Sequence, residues 1–347
     1  MKKIIVIAII INYLIVNENH VYSQDIHFSQ FWLLPLLQNP AFVGATYDMQ
    51  AIANYKDQWR SVASPYKTFN ISFDMKLNKK KIKKGFWAGG IDVFSDKAGD
   101  AQMGTTQGNL SFAYHVQLNA NSTIGGGLMG GFGQRSINYS ALQWGSQYDG
   151  TSYNASLPNN EPAGSSTITY PEIGTGVVWT YNKGASTLSS KDMVSANAGI
   201  AAFNVNQPKY SFYGSAENLK MKIVAHANLL YGIKNTNLSI VPGFIFYLQG
   251  SSKETLFGSM FRYTLKEASK VTGYIKGSAF SFGVHYRNKD AIIASALLEL
   301  GQYAFGISYD VNVSGLKSAS DGRGGFEISL RFVSPNPFTG KSNARFL

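Results

Sequence analysis

Residues 303–314 alternate one by one between apolar and polar character. Tyr303, Phe305, Ile307, Tyr309, Val311 and Val313 fall on one side, and Ala304, Gly306, Ser308, Asp310, Asn312 and Ser314 on the other. Successive side chains of an extended chain point to opposite faces, so a period of two predicts a β-strand with one greasy and one wet face. The next run repeats the pattern, setting Phe326, Ile328, Leu330 and Phe332 against Glu327, Ser329 and Arg331. In a soluble sandwich the apolar face meets a core. Here that face is large and aromatic while polar and charged groups recur opposite it, which is the pattern of a barrel apolar outside and polar inside.

The same alternation predicts strands over 49–59, 66–76, 86–95, 108–118, 123–135, 167–181, 193–206, 219–233, 238–249, 254–265, 277–287 and 291–300. With the two runs above, the total is about fourteen, an even number as bacterial barrels require. The predicted fold class is therefore all-β: a transmembrane outer-membrane barrel of about fourteen antiparallel strands. No window reads as a transmembrane helix; the longest apolar stretch, 291–300, is too short for a span of ~20 residues and carries Glu299.

Composition agrees with this reading. Of 347 residues, 44% are hydrophobic and only 15% charged, with 35 Gly, 22 Phe and 20 Tyr. Soluble chains carry about a quarter charged residues. The absence of cysteine removes disulfides, thiolate zinc sites and cysteine nucleophiles from consideration. Lys2 and Lys3 precede an apolar run to Val16, and Val21-Tyr22-Ser23 offers small residues to a signal peptidase. Residues 1–23 read as a signal peptide, an N-terminal membrane anchor being the alternative. Residues 24–48 read as a periplasmic or plug segment, 49–333 as the barrel, and 334–347 as a periplasmic tail.

The segment after the signal lacks the period of two and contains Pro35 and Pro40, which cannot donate to a ladder. It is too apolar for a solvated tail, so it is expected to pack beneath or inside the barrel mouth. Within it stand His27-Phe28-Ser29-Gln30-Phe31 and Asn39-Pro40-Ala41-Phe42-Val43-Gly44. These stretches resemble the signature of the PorP/SprF family of Bacteroidota outer-membrane proteins, with a departure at Leu34 where the family often has Asn. The likeness continues at Tyr170-Pro171-Glu172-Ile173-Gly174-Thr175-Gly176, Gly283-Val284-His285-Tyr286-Arg287, Ser308-Tyr309-Asp310 and Gly325-Phe326-Glu327-Ile328-Ser329-Leu330.

What the resemblance implies is a component of the type IX secretion and gliding machinery in the cell outer membrane. Such a component assists export or surface attachment of specific secreted, adhesin-like proteins. The implied partners are that substrate, outer-membrane lipid, and periplasmic ring components reached through a peptidoglycan-binding lipoprotein; nucleic acid is not among them. Two other readings stay open: a passive or substrate-specific channel, and an outer-membrane lipid hydrolase.

Candidate chemistry lies mainly on the inward-facing positions. Lys56, Arg60, Asp74, Lys76, His115, His226, His285, Arg287, Asp310, Glu327 and Arg331 carry both signs, so they either brace the wall and grip an inserted segment or line an aqueous pore. Lys79-Lys80-Lys81-Ile82-Lys83-Lys84 falls in the second connection, as a partner-binding patch or a solvated turn. Catalysis finds only Ser111 and His115, about 13 Å apart along one strand and too far to touch. The histidines lack metal-ligand spacing, and Asp92, Asp96 and Asp100 lack that of a calcium loop. No cofactor is expected. If both termini are periplasmic, the long connections 136–166, 207–218 and 315–323 face outward and the turns 119–122 and 234–237 inward.

Overall fold

A computed structural model describes residues 27–60, 64–77, 85–161, 164–184, 193–214, 217–267, 277–315 and 317–334. The signal peptide, the lysine run and the C-terminal tail expected from the sequence lie outside these residues.

Fourteen strands follow one another in chain order. They are β1 (Met49–Gln58), β2 (Tyr66–Lys76), β3 (Gly85–Ala98), β4 (Met103–Gln117), β5 (Ser122–Ser136), β6 (Thr167–Lys183) and β7 (Val194–Phe203), then β8 (Lys222–Gly232), β9 (Leu238–Gln249), β10 (Ser252–Lys266), β11 (Ser278–Arg287), β12 (Ala291–Leu300), β13 (Tyr303–Asn312) and β14 (Arg323–Ser334). Each pairs antiparallel with its neighbours in sequence, and β1 pairs with β14 from Met49↔Ser334 to Gln58↔Gly325, closing the barrel. Closure gives every strand two neighbours, the condition for placing a sheet in lipid.

The alternation read from the sequence becomes an inside and an outside. Along β13 exposure alternates strictly, with Phe305, Ile307 and Tyr309 outward and Ala304, Gly306, Ser308 and Asp310 buried. Phe69 and Ile71 on β2, Phe112 on β4 and Leu128 on β5 join the outer band, while Asn70, Ser72, Asp74, Ser111 and His115 face the interior. Among the described residues no helix is long and apolar enough to cross a membrane. The stretch 291–300 is strand β12, with Ile293 and Leu297 inward.

Several strands exceed the ~9–11 residues a span needs, β10 with 15 among them, and on one flank of the barrel three long ones are neighbours. There β4, β5 and β6 run 15, 15 and 17 residues. Because β6 pairs with β7 only over Thr175–Lys183, its first residues rise with β5 above the rest of the wall. That raised edge carries the connection 137–166. Topology puts 137–166, 204–221 and 313–322 at one end, together with the two-residue connection 250–251 and the tight turn 288–290. Length alone therefore separates the two ends incompletely.

Residues 27–44, shortly before β1, lie against the interior face of the barrel. They form a chain of short turns: Phe31–Leu33 and Pro40–Phe42 are 3-10 helices, and Pro35–Gln38 is a single α-helical turn. Pro35 and Pro40 each sit in a first-turn position, where a missing N–H costs nothing. The sequence places this segment at the mouth where β1 begins, but the contacts extend further. Gly44 sits beside Asp74 and Lys76 near the start of β1, whereas His27 and Ser29 meet Lys56, Arg287 and Asp310 near the opposite strand ends. The segment traverses the lumen because its apolar side chains find inward apolar patches along the way. Phe31 packs among Val224, Ile245, Leu256 and Ile293, Leu33 among Ile52, Met260 and Ala304, and Leu36 with Val43 against Ala88 and Ala113.

Candidate functional site

The interior faces of β1, β11 and β13 converge on one hydroxyl. Ser29 Oγ donates to Asp310 Oδ2 at 2.7 Å and accepts from Arg287 Nη2 at 2.8 Å and Lys56 Nζ at 3.2 Å. A hydroxyl has one proton and two lone pairs, so all its capacity is used. The backbone N–H groups of Ser29 and Gln30 donate to the two oxygens of Glu327, at 2.6 and 3.1 Å, and Gln30 Nε2 donates to Glu327 O. Lys56 Nζ also donates to His27 O at 2.9 Å.

A second ring of charge holds these partners. Arg287 reaches Asp310 at 3.1 Å, Asp290 at 3.0 Å and Glu254 at 3.6 Å, and His27 Nδ1 lies 3.1 Å from Glu254. Lys56 lies 3.5 Å from Asp310. Lys56, Arg287, Asp310 and Glu327 are each about 1% exposed. Charges buried so deeply persist only when paired and hydrogen-bonded, and here the inserted segment supplies part of the pairing.

Further along, Asn39 fixes the segment on the far wall. Its Nδ2 donates to Val177 O at 3.0 Å and Ile200 O at 3.3 Å and lies 3.2 Å from His226 Nε2, while its Oδ1 accepts from Ala41 N and so starts the following turn. Phe42 packs on His226, and Trp32 stacks on His285 at 4.5 Å. Gly127 faces Ala41 and Pro40 so closely that a Cβ there would stand 2.5 Å from Ala41 N. At the β1 end Gly44 N donates to Asp74 Oδ2 at 2.8 Å, His115 Nε2 meets Val43 O at 2.8 Å, and Lys76 pairs with Asp48 at 3.0 Å.

The inward-facing residues singled out in the sequence thus separate into groups. Lys56, Arg287, Asp310 and Glu327 meet at Ser29; Asp74, Lys76 and His115 gather at the opposite end of the segment; His226 and His285 pack between. Arg331 belongs to a different cluster, with Glu299 at 3.2 Å and Arg262 beyond it, and stacks over Tyr47. Arg60 does not face the interior: β1 ends at Gln58, and the Arg60 side chain is 76% exposed beside Asp57 at 2.5 Å. Trp59 has a positive φ of 59°, which breaks the alternation on which the placement of Arg60 rested. Glu254, Asp290, Arg262 and Glu299 escaped the sequence reading. The face of β10 that carries Glu254 and Arg262 also carries Leu256 and Met260, so its period of two is blurred.

At the loop end, connections 137–166 and 204–221 pack together. Ser165 N donates to Phe212 O, and the Arg135 guanidinium lies 4.6 Å over the Tyr210 ring. Asp149 accepts from the N–H groups of Ser152 and Thr151, which hold its carboxyl below the usual range. Tyr148, Tyr153 and Tyr213 stand exposed there.

Among solved structures the chain is similar to the Pseudomonas putida toluene transporter TodX, at 9% identity over 90% of this chain and 95% of that one, with a TM-score of 0.45. It is also similar to the CymD monoaromatic hydrocarbon channel, at 12% identity over 88% and 93%, TM-score 0.43. The translocator domain of the autotransporter NalP from Neisseria meningitidis matches at 11% identity over 83% and 89%, TM-score 0.35. No curated protein matches the chain. The family described as type IX secretion system membrane protein PorP/SprF matches residues 20–332, nearly the whole length and including the His27–Gly44 signature. The chain, a closed fourteen-stranded barrel of the outer-membrane type, belongs to the PorP/SprF family of type IX secretion system membrane proteins.

Proposed function

We propose that this barrel is a closed outer-membrane station of the type IX machinery rather than a pore, and that it assists export or surface attachment of particular secreted, adhesin-like proteins. On this reading residues 1–23 are removed on export, residues 24–48 form a plug, residues 49–333 form the barrel, and 334–347 a periplasmic tail. The observation that carries the reading is the anchoring of the segment 27–44 along the lumen, with Ser29 saturated by Asp310, Arg287 and Lys56. A wall designed to conduct would leave those charges to water. Here they are paired by the chain itself, so the ionisable face acts as a brace.

With the lumen filled, work on a partner falls to the two ends. The raised β4–β6 edge presents 137–166 and 204–221 as the surface for the secreted protein. The end where β1 begins faces the periplasmic ring components and their peptidoglycan-binding lipoprotein.

Two measurements test this. Deletion of the gene should lower the surface level of at least one type IX substrate, and unchanged levels of every such substrate would refute the secretion role. Purified protein in a planar bilayer should be nearly silent; a stable open conductance would instead establish the channel reading.

A further inference from the structure

Outside the barrel, at the seam where β1 closes on β14, the wall carries a cleft of about 530 Å³. Its origin is a β-bulge. Between Tyr309 and Val311 strand β13 advances two residues while β14 spends three, from Phe326 to Arg323. Gly324 and Gly325 occupy the irregularity and have no side chain to fill it. A Cβ on Gly324 would come within 2.5 Å of Asp310 O, so the close approach of the two strands requires glycine there.

The cleft has two chemistries, one above the other. Tyr55, Tyr309 and Phe326 line it from the membrane side, all three outward-facing and exposed. Arg60 and Arg323 stand at its upper edge, where the strands end and the loops begin. Asp57, only 8% exposed, lies between them and holds one nitrogen of Arg60 at 2.5 Å. Four of the five N–H donors of Arg60 remain available, and the Arg323 guanidinium has no hydrogen-bond or ion-pair partner among the described residues. Tyrosines on the outer face of a barrel mark the level of the lipid headgroups, and two guanidiniums just above them sit at the depth of lipid phosphate.

We infer that this seam cleft is a lipid-binding site, in which Arg60 and Arg323 grip the phosphate of a headgroup while Tyr55, Tyr309 and Phe326 hold the apolar part beneath it. Arginine suits the task because its planar fork pairs with two phosphate oxygens at once. The bulge glycines give the headgroup access to the backbone seam. The occupant comes from the bilayer itself, and two lipids of the relevant chemistry are lipid A and phosphatidylglycerol.

The test uses the full chain purified in mild detergent, with retention of added lipid A, phosphatidylglycerol or diacylglycerol, which has no phosphate, read by native mass spectrometry. Wild type should retain one phosphate-bearing lipid through delipidating washes. Arg323→Gln, which leaves the Asp57–Arg60 pair intact, should lower retention about tenfold, as expected for losing one bidentate contact. Lys289→Gln, a cation removed elsewhere at the same end, should leave it unchanged, and heat-modifiable gel mobility checks that each variant is folded. Preference for lipid A or for phosphatidylglycerol identifies which lipid is bound, and either supports the site. Equal retention in wild type and Arg323→Gln, equal retention of diacylglycerol, or full displacement by millimolar inorganic phosphate would overturn it.

Discussion

Replacing Ser29 by alanine removes one donated and two accepted hydrogen bonds at a stroke, without changing the barrel wall. Asp310 loses its 2.7 Å donor, and Arg287 and Lys56 lose an acceptor at 2.8 and 3.2 Å. Each keeps other partners: Arg287 retains Asp310 and Asp290, Lys56 retains His27 O and Asp310, and the Ser29 N–H still reaches Glu327. The loss therefore falls below the ~1.5–3 kcal/mol of a bond to an otherwise unpartnered charge, at ~1 kcal/mol apiece and ~3 kcal/mol in all. At 1.4 kcal/mol per factor of ten, the undocked fraction of the segment rises ~100-fold. Hydrogen exchange followed by peptide mass analysis reads this directly. Amides of 27–44 should lose protection while those of β12 keep theirs, and Ser29→Thr, which keeps the hydroxyl, should stay near wild type. If protection of 27–44 were unchanged in the alanine variant, the central place given to the Ser29 hydroxyl would be wrong. Equal loss over β12 would show that the segment and wall open together, which would refute docking as a separate equilibrium.

Two other substitutions probe the segment and the membrane face. Gly127→Ala places a methyl 2.5 Å from Ala41 N and 2.6 Å from Pro40 C, so overpacking by roughly 1–3 kcal/mol should loosen the segment. Gly126→Ala, one residue back, faces outward with nothing within 4 Å and should have no such effect; protease sensitivity of 27–44 compares the pair. Leu128, 67% exposed midway along β5, faces lipid, and Leu128→Arg should cost ~2–4 kcal/mol of folding free energy into vesicles. A neutral result by tryptophan-monitored urea titration would place that face in water and sink the membrane reading.

All fourteen strands were legible, because alternation needs only the residues themselves: a side chain meant for lipid and one meant for the interior differ in chemistry at every step. The identity of most interior charges followed from the same rule, Lys56, Asp310 and Glu327 among them. Arg60 did not, because the positive φ of Trp59 breaks the strand before it and a period of two says nothing beyond a strand's end. The N-terminal segment was recognisable as something to be packed, from its prolines and its apolar content, but its path was not.

Sequence by itself determined the closed barrel, the direction in which its two faces point and, through the His27–Gly44 motif, the family. Only tertiary structure decided what the interior does. Glu254 and Arg287, or Ser29 and Glu327, lie far apart along the chain and meet because strand register and closure bring the interior ends of β1, β10, β11, β13 and β14 to one level. Register is a property of pairs of strands, whereas alternation is a property of each strand alone. A local pattern therefore gives the wall, and the long-range pairing gives the anchor for Ser29 within it.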